Sequence, residues 1–405
     1  MATADLIVVG GGVSGLSLAW KAASAGRRVL VLERERRVGG CLHSHRTPDG
    51  FWLELGAHTT YNSYGAFLDV VVGTGVADRL VERGPARGRF GLLRGGELTL
   101  LTPPKVLLQL SWLEAAAHVP LGLFARKEGQ TNYSYYSRLL GRRNYDRVLS
   151  PFLAAVPSQN ADGFPASGPG SLFKKRPRRK EFPRSFAVRG GLQTVCEAAA
   201  ASRGLAVETG VSATRVARRD GGFAVICADG RTLEAPLAAI AAPPDAAVAL
   251  LRDDFHELAT TVARVKTVTV ETVGVVLPRA RCSLPECAFL VPVNDVFLSC
   301  VTRDPVPDPD RRGFAFHFGP GVPREKKLAR VAEVLRVRPE ELGEPVEQRR
   351  TLPAPALGHA EVVRDLDAAL AGGRLALTGN YFAGLAIEDC VQRSNAEWAR
   401  IAAAG

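Results

Sequence analysis

The sequence contains no apolar run that approaches the roughly 20 residues needed to span a bilayer, so no transmembrane helix is expected. It also contains no low-complexity tract and no internal repeat. The first residues lead directly into an apolar strand, so we expect no signal or transit peptide. With 405 residues, of which 46% are apolar, the chain can bury a large core and is expected to form a globular protein of two domains.

Metal-binding and disulfide patterns are also missing. The cysteines show no CxxC pair and no metal-ligand spacing, so we expect no metal site; they are Cys41, Cys196, Cys227, Cys282, Cys287, Cys300 and Cys390. An odd, scattered set is typical of reduced thiols, which predicts a cytoplasmic protein. No His–Asp arrangement or carboxylate pair indicates general acid–base catalysis.

Positive charge is in excess, with 52 Lys+Arg against 41 Asp+Glu and a net charge of +11. The cations are concentrated in one stretch, the basic run Lys174–Lys180, where Pro177 interrupts any helix. Three interpretations stay open for it: a solvated loop, a contact with an anionic membrane surface, or a contact with an anionic substrate. Nucleic acid is not expected, because no aromatic platform or nucleic-acid-binding motif accompanies the run.

The most specific motif lies near the N-terminus, where an apolar strand runs into Gly10-x-Gly12-x-x-Gly15. The first glycine permits a tight turn, the second lets the backbone approach a pyrophosphate, and the third lets the next helix pack on the strand. That helix begins facing the phosphate charge. Glu33 ends the following apolar strand, where a carboxylate accepts hydrogen bonds from a ribose diol. This order of elements predicts a site for an adenine dinucleotide.

Two further glycine-rich segments favour FAD over NAD. Arg37-x-Gly39-Gly40 follows the ribose acid, where many flavoproteins bring a second backbone turn against the cofactor. Near the C-terminus, an apolar strand, the turn Gly379–Gly384 and a helix resemble the segment that closes over the flavin in glutathione-reductase-like flavoproteins. A helix beginning near Gly384 would direct its N-terminal amides at the flavin pyrimidine edge.

No second dinucleotide fingerprint is present. The stretch Gly73-x-Gly75 resembles one, but Asp78 replaces the third glycine, so we interpret the two glycines as the end of a helix within residues 61–80. Without an NAD(P)H site, electrons are expected to come from the substrate. That expectation points to an oxidase or a desaturase.

These residues resemble the protoporphyrinogen oxidase branch of the amine-oxidase-like flavoproteins. The segment Gly379–Cys390 is similar to that branch's Gly-Asn-Tyr…Gly…Asp-Cys motif, and Arg37–Cys41 carries Cys where typical amine oxidases have Arg. Weaker similarity runs through Tyr136–Asp162 and Ser185–Leu192. His58–Thr60 departs from the pattern, since many relatives have Pro-Arg there.

The resemblance implies an α/β fold, in which a Rossmann-like FAD-binding domain of the glutathione-reductase type carries an inserted mixed-sheet substrate domain and a helical, membrane-docking subdomain. The FAD-binding domain is expected in three parts, and the full division is 1–80, 186–250 and 361–405 for that domain, 81–185 for the helical insertion and 251–360 for the substrate domain. FAD is expected to be noncovalent, because Cys390 lacks the surroundings of covalent amine oxidases. The residues expected to contact FAD are Gly10, Gly11, Gly12, Val13, Ser14, Gly15, Glu33, Arg34, Arg37, Gly39, Gly40, Gly56, Ala57, His58, Thr59, Val211, Gly379, Gly384, Leu385, Ala386 and Ile387.

The resemblance further implies a reduced tetrapyrrole with two propionates as substrate, either protoporphyrinogen IX or coproporphyrinogen III. Its oxidation to the porphyrin, a step of heme biosynthesis, moves a hydride from a meso carbon to flavin N5, with O2 or a quinone as final acceptor. Such chemistry needs positioning and exclusion of water rather than a strong acid or base. Amine oxidation, isoprenoid or carotenoid desaturation and a non-catalytic flavoprotein scaffold stay open as alternatives, as does a homodimer.

Four residues are expected at the substrate end of the flavin. Arg89 stands where the family places an arginine for a propionate, although it also fits an ordinary surface position. His58 is either beside the flavin or a structural histidine, and Tyr381 and Phe382 either line the substrate face or pack in the core. Residues 105–185, with apolar helices and the basic run, are expected to contact the inner face of a membrane without spanning it.

Overall fold

The computed structural model describes residues 4–122 and 124–404 and shows a mixed α/β fold. In chain order the strands are β1 (Leu6–Val9), β2 (Val29–Glu33), β3 (Ser44–Arg46), β4 (Trp52–Glu54), β5 (Thr60–Tyr61), β6 (Leu80–Glu82), β7 (Phe90–Arg94), β8 (Glu97–Leu101), β9 (Ser185–Val188), β10 (Leu205–Thr209), β11 (Ala213–Arg219), β12 (Gly222–Cys227), β13 (Thr232–Ala235), β14 (Leu237–Ile240), β15 (Thr267–Pro278), β16 (Phe289–Val293), β17 (Phe297–Thr302), β18 (Arg311–Phe318), β19 (Val346–Pro353) and β20 (Leu375–Leu377). The α-helices are α1 (Val13–Ser24), α2 (Gly65–Gly73), α3 (Pro103–Leu107), α4 (Trp112–Gly122), α5 (Asn132–Leu140), α6 (Arg142–Asn144), α7 (Ser150–Ala155), α8 (Gln193–Ala200), α9 (Pro244–Leu251), α10 (His256–Ala263), α11 (Arg324–Leu335), α12 (His359–Leu370) and α13 (Ile387–Ala403).

A five-stranded parallel sheet in the order β10-β2-β1-β14-β20 is the centre of the cofactor half. Successive side chains of a strand point to opposite faces, and both faces of this sheet are covered. In β1, Leu6 and Val8 pack towards α1, α2, α8 and α13, while Ile7 and Val9 pack towards α9, α10, α12 and the sheet β11-β12-β13. Burial on both faces explains why these strands are continuous apolar runs in the sequence.

A seven-stranded sheet in the order β19-β15-β18-β17-β16-β7-β8 forms the second half, with β7 and β16 parallel and the other neighbours antiparallel. In β18, Phe314, Phe316 and Phe318 share a core with α11. His317 lies between them in the strand and therefore faces the other side of the sheet. Strands β7 and β8, which begin directly after Arg89, form an antiparallel hairpin.

Helices α3 to α7 form a helical insertion between the hairpin and β9. The expected helix within residues 61–80 is α2, which ends at Gly73, and Gly75 follows with a φ of +75°. This glycine pair therefore ends a helix, as predicted. Among the described residues, no helix is long and apolar enough to cross a bilayer.

Candidate functional site

The turn after β1 has the backbone geometry that its glycines predict. Gly10 adopts a φ of +111°, and a Cβ there would lie 2.6 Å from the carbonyl oxygen of Ala241. A Cβ at Gly15 would lie 1.9 Å from the carbonyl oxygen of Gly10, so α1 packs on the turn only without a side chain. Gly12 is the N-cap of α1 and has an extended backbone. No side chain caps the first amides of the helix, so these amides are free to face a phosphate.

The second glycine turn lies directly against the first. The Gly39 amide donates to the carbonyl oxygen of Gly11 at 2.8 Å, and a Cβ at Gly40 would lie 3.1 Å from the Cα of Gly12. Arg37 secures this turn, because its guanidinium donates to the carbonyl oxygens of Val38 and Gly40 at 3.2 and 2.9 Å. Two backbone turns without side chains thus form one cradle.

Glu33 lies beside this cradle at the end of β2. Its carboxylate accepts hydrogen bonds from the amides of Gly11 at 2.6 Å and Glu35 at 2.8 Å, and the side chain is buried. The Val211 amide donates to the Glu33 carbonyl oxygen at 3.0 Å, which brings the end of β10 to the same place. Arg34 projects into solvent. The predicted ribose acid and the predicted adenine contact are therefore neighbours.

The C-terminal segment returns to the N-terminal turn. Helix α13 begins at Ile387, with Ala386 as its N-cap, so the expectation of a helix starting near Gly384 was wrong by about one turn. A Cβ at Gly384 would lie 2.6 Å from an oxygen of Asp389, which explains why the chain bends there before the helix. The Ser394 hydroxyl donates to the Ser14 carbonyl oxygen at 2.7 Å, which joins α13 to α1.

Helix α13 also supports α2. The carboxylate of Glu388 accepts hydrogen bonds from the amides of Ala66 and Phe67 at 3.1 and 3.0 Å, which satisfies the open amides at the start of α2. Leu385 and Ala386 stay half-buried just before α13, whereas Gly379, directly after β20, is buried. The contacts with α1 and α2 therefore fix the position of α13 relative to the cradle.

The segment Gly56–Thr59 lies against the second glycine turn. A Cβ at Gly56 would lie 2.1 Å from the carbonyl oxygen of Cys41, and the Ala57 amide donates to the same oxygen at 3.1 Å. His58 Nδ1 lies 3.1 Å from the Gly56 carbonyl oxygen, and burial lowers the pKa of His58 to about 4. His58 is therefore a neutral imidazole at neutral pH.

A second buried histidine faces this segment from the seven-stranded sheet. His317 Nδ1 lies 2.9 Å from the Thr272 hydroxyl, and its Nε2 is buried without a hydrogen-bond partner among the described residues. Burial and, to a smaller extent, the nearby His58 lower the pKa of His317 to about 3. His317 was not predicted as a site residue. It alternates with the three phenylalanines of β18, and this alternation in the sequence indicates a polar side chain that faces away from their core.

The cradle fits FAD. A Cβ on Gly12 or Gly40 would project into the space between the two turns, which suits a pyrophosphate approached by backbone amides. The Glu33 carboxylate could accept hydrogen bonds from a ribose diol, and the start of α13 could lie beside the flavin. When bound, FAD supplies the two-electron acceptor for substrate oxidation.

Comparison with known proteins decides the family. The model of the flavin containing amine oxidoreductases matches residues 13–284, about two thirds of the chain. The chain belongs to this family. It is therefore an FAD-dependent oxidoreductase, as the fingerprint and the missing second nucleotide site led us to expect.

The chain resembles relatives with different substrates. It is 37% identical to coproporphyrinogen III oxidase of Propionibacterium freudenreichii over 93 residues, which are 23% of this chain and 17% of that protein. It is 34% identical to 15-cis-phytoene desaturase of Narcissus pseudonarcissus over 76 residues, 19% of this chain and 13% of that protein. The chain thus matches less than a fifth of the length of these two curated relatives.

A solved structure confirms the fold over the full length. A candidate protoporphyrinogen oxidase from Exiguobacterium sp. 255-15 superposes with a TM-score of 0.80 at 20% identity and covers 99% of both chains. The family fold therefore extends beyond the residues that the family model matches. The glutathione-reductase subclass and the domain boundaries given above stay predictions.

The predicted substrate residues do not all lie together in the structure. Tyr381 and Phe382 are 0% and 1% exposed, stack at 4.7 Å and belong to the core behind the parallel sheet. They take the core alternative, so we do not place them on the substrate face. Arg89 is exposed at the start of β7, where its backbone carbonyl accepts from the Ala288 amide at 2.8 Å.

Three of the six cations in the basic run form ion pairs within the protein. Lys174 and Arg176 form ion pairs with Asp389 at 3.1 and 2.8 Å, and Arg179 pairs with Asp69 at 2.8 Å and Glu181 at 2.8 Å. Because Asp389 lies in the first turn of α13, the run fastens the end of the insertion to the flavin end of the site. This attachment replaces the solvated-loop interpretation for those three cations.

Glu54 at the end of β4 is a buried carboxyl in the same region. It accepts hydrogen bonds from the Ser44 hydroxyl at 2.7 Å and the Leu192 amide at 2.8 Å, yet burial raises its pKa to about 7. This carboxyl was not among the site residues predicted from the sequence.

We expect the contribution of Glu54 to the stability of the protein to fall as pH rises from about 4.5 to about 7, because folded Glu54 holds its proton more tightly than the unfolded side chain. The loss from this group is up to about 3 kcal/mol at the alkaline end. Glu54→Gln removes it, so the melting temperature of the variant relative to the parent should rise between pH 5 and pH 8. Glu82→Gln, at an exposed position, is the control; a difference for Glu54→Gln that stays constant with pH would contradict the prediction.

Proposed function

We propose that the protein oxidises a porphyrinogen, protoporphyrinogen IX or coproporphyrinogen III, to the porphyrin in heme biosynthesis, with FAD held by the residues assigned above. The conversion removes six hydrogens in three two-electron oxidations, and the final acceptor of each in this proposal is O2 or a quinone. The partial likeness to a coproporphyrinogen III oxidase supports the choice of substrate. The proposed substrate carries several carboxylates, whereas the substrate of the alternative activities is an amine or a hydrocarbon.

The observation that carries the proposal is the charge beside Gly56–Thr59. Arg83 is buried and donates to the Thr59 hydroxyl at 3.3 Å, and Arg303 lies in the same region; neither forms an ion pair among the described residues. A protonated amine would be repelled there, and a hydrocarbon would leave both charges unpaired. A carboxylated substrate satisfies them.

The protein's own residues supply positioning rather than proton transfer in this proposal. His58 and His317 are neutral at neutral pH and can accept or donate a hydrogen bond without adding charge. In this proposal the seven-stranded sheet would exclude water from the site and hold the substrate in place for oxidation. No aromatic pair from the C-terminal segment lies open for an amine, since Tyr381 and Phe382 are in the core.

The direct test is turnover of both porphyrinogens by the FAD-loaded protein, followed by porphyrin fluorescence with parallel detection of peroxide. We expect porphyrin to form and the flavin to bleach when either porphyrinogen is added without oxygen. Bleaching by primary amines or phytoene instead would establish one of the alternative activities. No bleaching by any of these compounds would support the scaffold alternative.

We expect Arg89→Ala to raise the KM for the porphyrinogen at least tenfold with little change in kcat, because a guanidinium holds a carboxylate with two parallel hydrogen bonds. Arg89→Lys should recover part of the loss, since it keeps the charge without the fork. Steady-state kinetics of both variants provide the measurement. An unchanged KM in Arg89→Ala would show that Arg89 is an ordinary surface residue and does not bind the substrate.

We also propose that the helical insertion docks on an anionic membrane surface. Its first helices expose large apolar side chains: Leu108 is 72% exposed, Leu113 88% and Phe124 82%, with Leu107, Trp112 and Val119 also exposed. Cations of the same insertion are exposed nearby in the sequence, namely Lys105, Arg126, Lys127, Arg142 and Arg143. Apolar side chains flanked by cations suit the headgroup boundary of an anionic bilayer.

Vesicle sedimentation tests this docking. We expect the protein to pellet with anionic vesicles at low salt and to bind at least tenfold more weakly after Leu113→Glu, because a carboxylate would face the bilayer. Leu357→Glu, which changes an exposed leucine (52% exposed) outside the insertion, is the matched control. A parent protein that stays in the supernatant would contradict the proposal.

A further inference from the structure

A small pocket lies beside Gly56–Thr59, between β4 and the segment that follows β17. His58, Arg83, Arg303 and Trp52 are among the residues that line it, and its volume is about 30 Å³. A cavity of about 10–15 Å³ in this measure holds one water, so the space admits about two waters or one carboxylate group. It is too small for a ring system.

Two guanidinium groups meet in this pocket without a counter-ion. Arg83 is 7% exposed, and its Nη1 contacts only the neutral hydroxyls of Thr59 and Ser185 at 3.3 and 3.4 Å. Arg303 lies 3.6 Å above the Trp52 ring, donates from Nε to the Trp52 carbonyl oxygen at 3.1 Å, and keeps Nη1 buried without a partner. Burial lowers the pKa of Arg303 to about 10, so it stays charged at neutral pH.

The acidic groups around the pocket are already engaged. Glu54 accepts from Ser44 and Leu192 and lies beyond ion-pair distance of Arg303. Asp304 forms a buried ion pair with Arg312 at 2.6 Å. Asp308, the remaining carboxylate that acts on Arg303, accepts from the amides of Asp310 and Arg311 at 3.0 Å. Two buried cations without a partner are costly, and a bound anion would remove that cost.

We propose that Arg83 and Arg303 form a carboxylate-binding pocket that holds one carboxylate of the substrate beside Gly56–Thr59. Neither residue was singled out in the sequence. This inference rests on the proposed function for the identity of its occupant, a propionate of the porphyrinogen. Holding that propionate fixes the rotation of the tetrapyrrole in the site, so the two arginines determine which carbon is presented for oxidation.

Binding is tested without turnover. Sodium propionate is titrated into the FAD-loaded protein at constant ionic strength, against sodium chloride, with the flavin absorption spectrum and the melting temperature as readouts. We expect a saturable response to propionate that is at least tenfold weaker in Arg83→Gln and in Arg303→Gln. Arg252→Gln, which removes an exposed arginine (71% exposed side chain) elsewhere, should bind as the parent does.

Two controls keep the result interpretable. Arg83→Lys and Arg303→Lys retain the charge and should bind between the parent and the Gln variants, and FAD content reports whether each variant is folded. No saturable response to propionate in the parent, or equal binding by the parent and both folded Gln variants, overturns the inference.

A second arm separates this inference from the proposed function. A porphyrinogen and its methyl ester are compared as substrates, and we expect esterification to raise KM by a smaller factor in Arg303→Gln than in the parent. Equal KM for acid and ester in the parent overturns the pocket while oxidation stands. Propionate binding without oxidation of any porphyrinogen keeps the pocket and removes the proposed substrate.

Discussion

Replacing Gly12 by valine is expected to give a folded protein that no longer retains FAD. A Cβ at Gly12 meets only the Cα of Gly40, at 3.8 Å, so the chain itself has room for a side chain. The two methyl groups would instead fill the cradle through which the backbone approaches the pyrophosphate. We expect FAD to bind at least 100-fold more weakly, about 2.8 kcal/mol, while the melting temperature of the apoprotein stays unchanged.

Absorbance of the purified protein and FAD titration of the apoprotein measure this effect. Gly65→Ala is the control for glycine replacement, because a Cβ there meets nothing within 4 Å. Gly15→Ala should behave differently and lose the fold as well as the cofactor, since its Cβ would lie 1.9 Å from a carbonyl oxygen. A Gly12→Val protein that purifies with a full complement of FAD would refute the proposed cradle.

The second large effect is expected at the buried ion pair of the substrate half. Arg312 and Asp304 form two hydrogen bonds, Nε to Oδ1 at 2.9 Å and Nη2 to Oδ2 at 2.6 Å, with side chains 3% and 1% exposed. Asp304→Asn keeps the shape but leaves the guanidinium without its counter-ion. We expect a loss of about 3–5 kcal/mol in the free energy of unfolding, measured by urea denaturation.

An exposed pair provides the comparison for Asp304→Asn. Asp5 pairs with Arg28 at 2.8 Å, but the Arg28 side chain is 63% exposed, so Asp5→Asn should cost less than about 1 kcal/mol. The two variants change the same functional group and differ mainly in burial. Similar losses at both positions would show that burial of the Arg312 pair does not govern stability.

The sequence allowed prediction of the parts of the site whose geometry is local. Gly10, Gly12 and Gly15 lie within one turn, and their spacing alone determines how the backbone bends between β1 and α1. Glu33 was placed correctly because it ends a strand adjacent to β1 in the sheet. The start of α13 was expected near Gly384 and lies at Ile387, because propensity and pattern locate a helix boundary only to within a few residues.

The missing parts depend on residues that are distant in the chain. Arg83 follows β6 and Arg303 follows β17. These two strands belong to different sheets, which approach each other beside β4, and this brings the two arginines to the same pocket. Nothing in their neighbouring sequence distinguishes them from the many other arginines of the chain. Tyr381 illustrates the converse: its position in the C-terminal segment indicated the substrate face, yet the packing of Gly379 against its ring fixes it in the core.

The joining of α13 to α1 and α2 has a consequence for biosynthesis. The dinucleotide turn leaves the ribosome well before β20 and α13, which complete its sheet and brace its helix and begin only at Leu375 and Ile387. At about 5–20 residues per second, the two ends are separated by roughly 20–70 seconds of translation. During that interval α1 lacks its contact with α13, so the turn that would hold FAD stays unbraced on that side until the C-terminal helix has been translated.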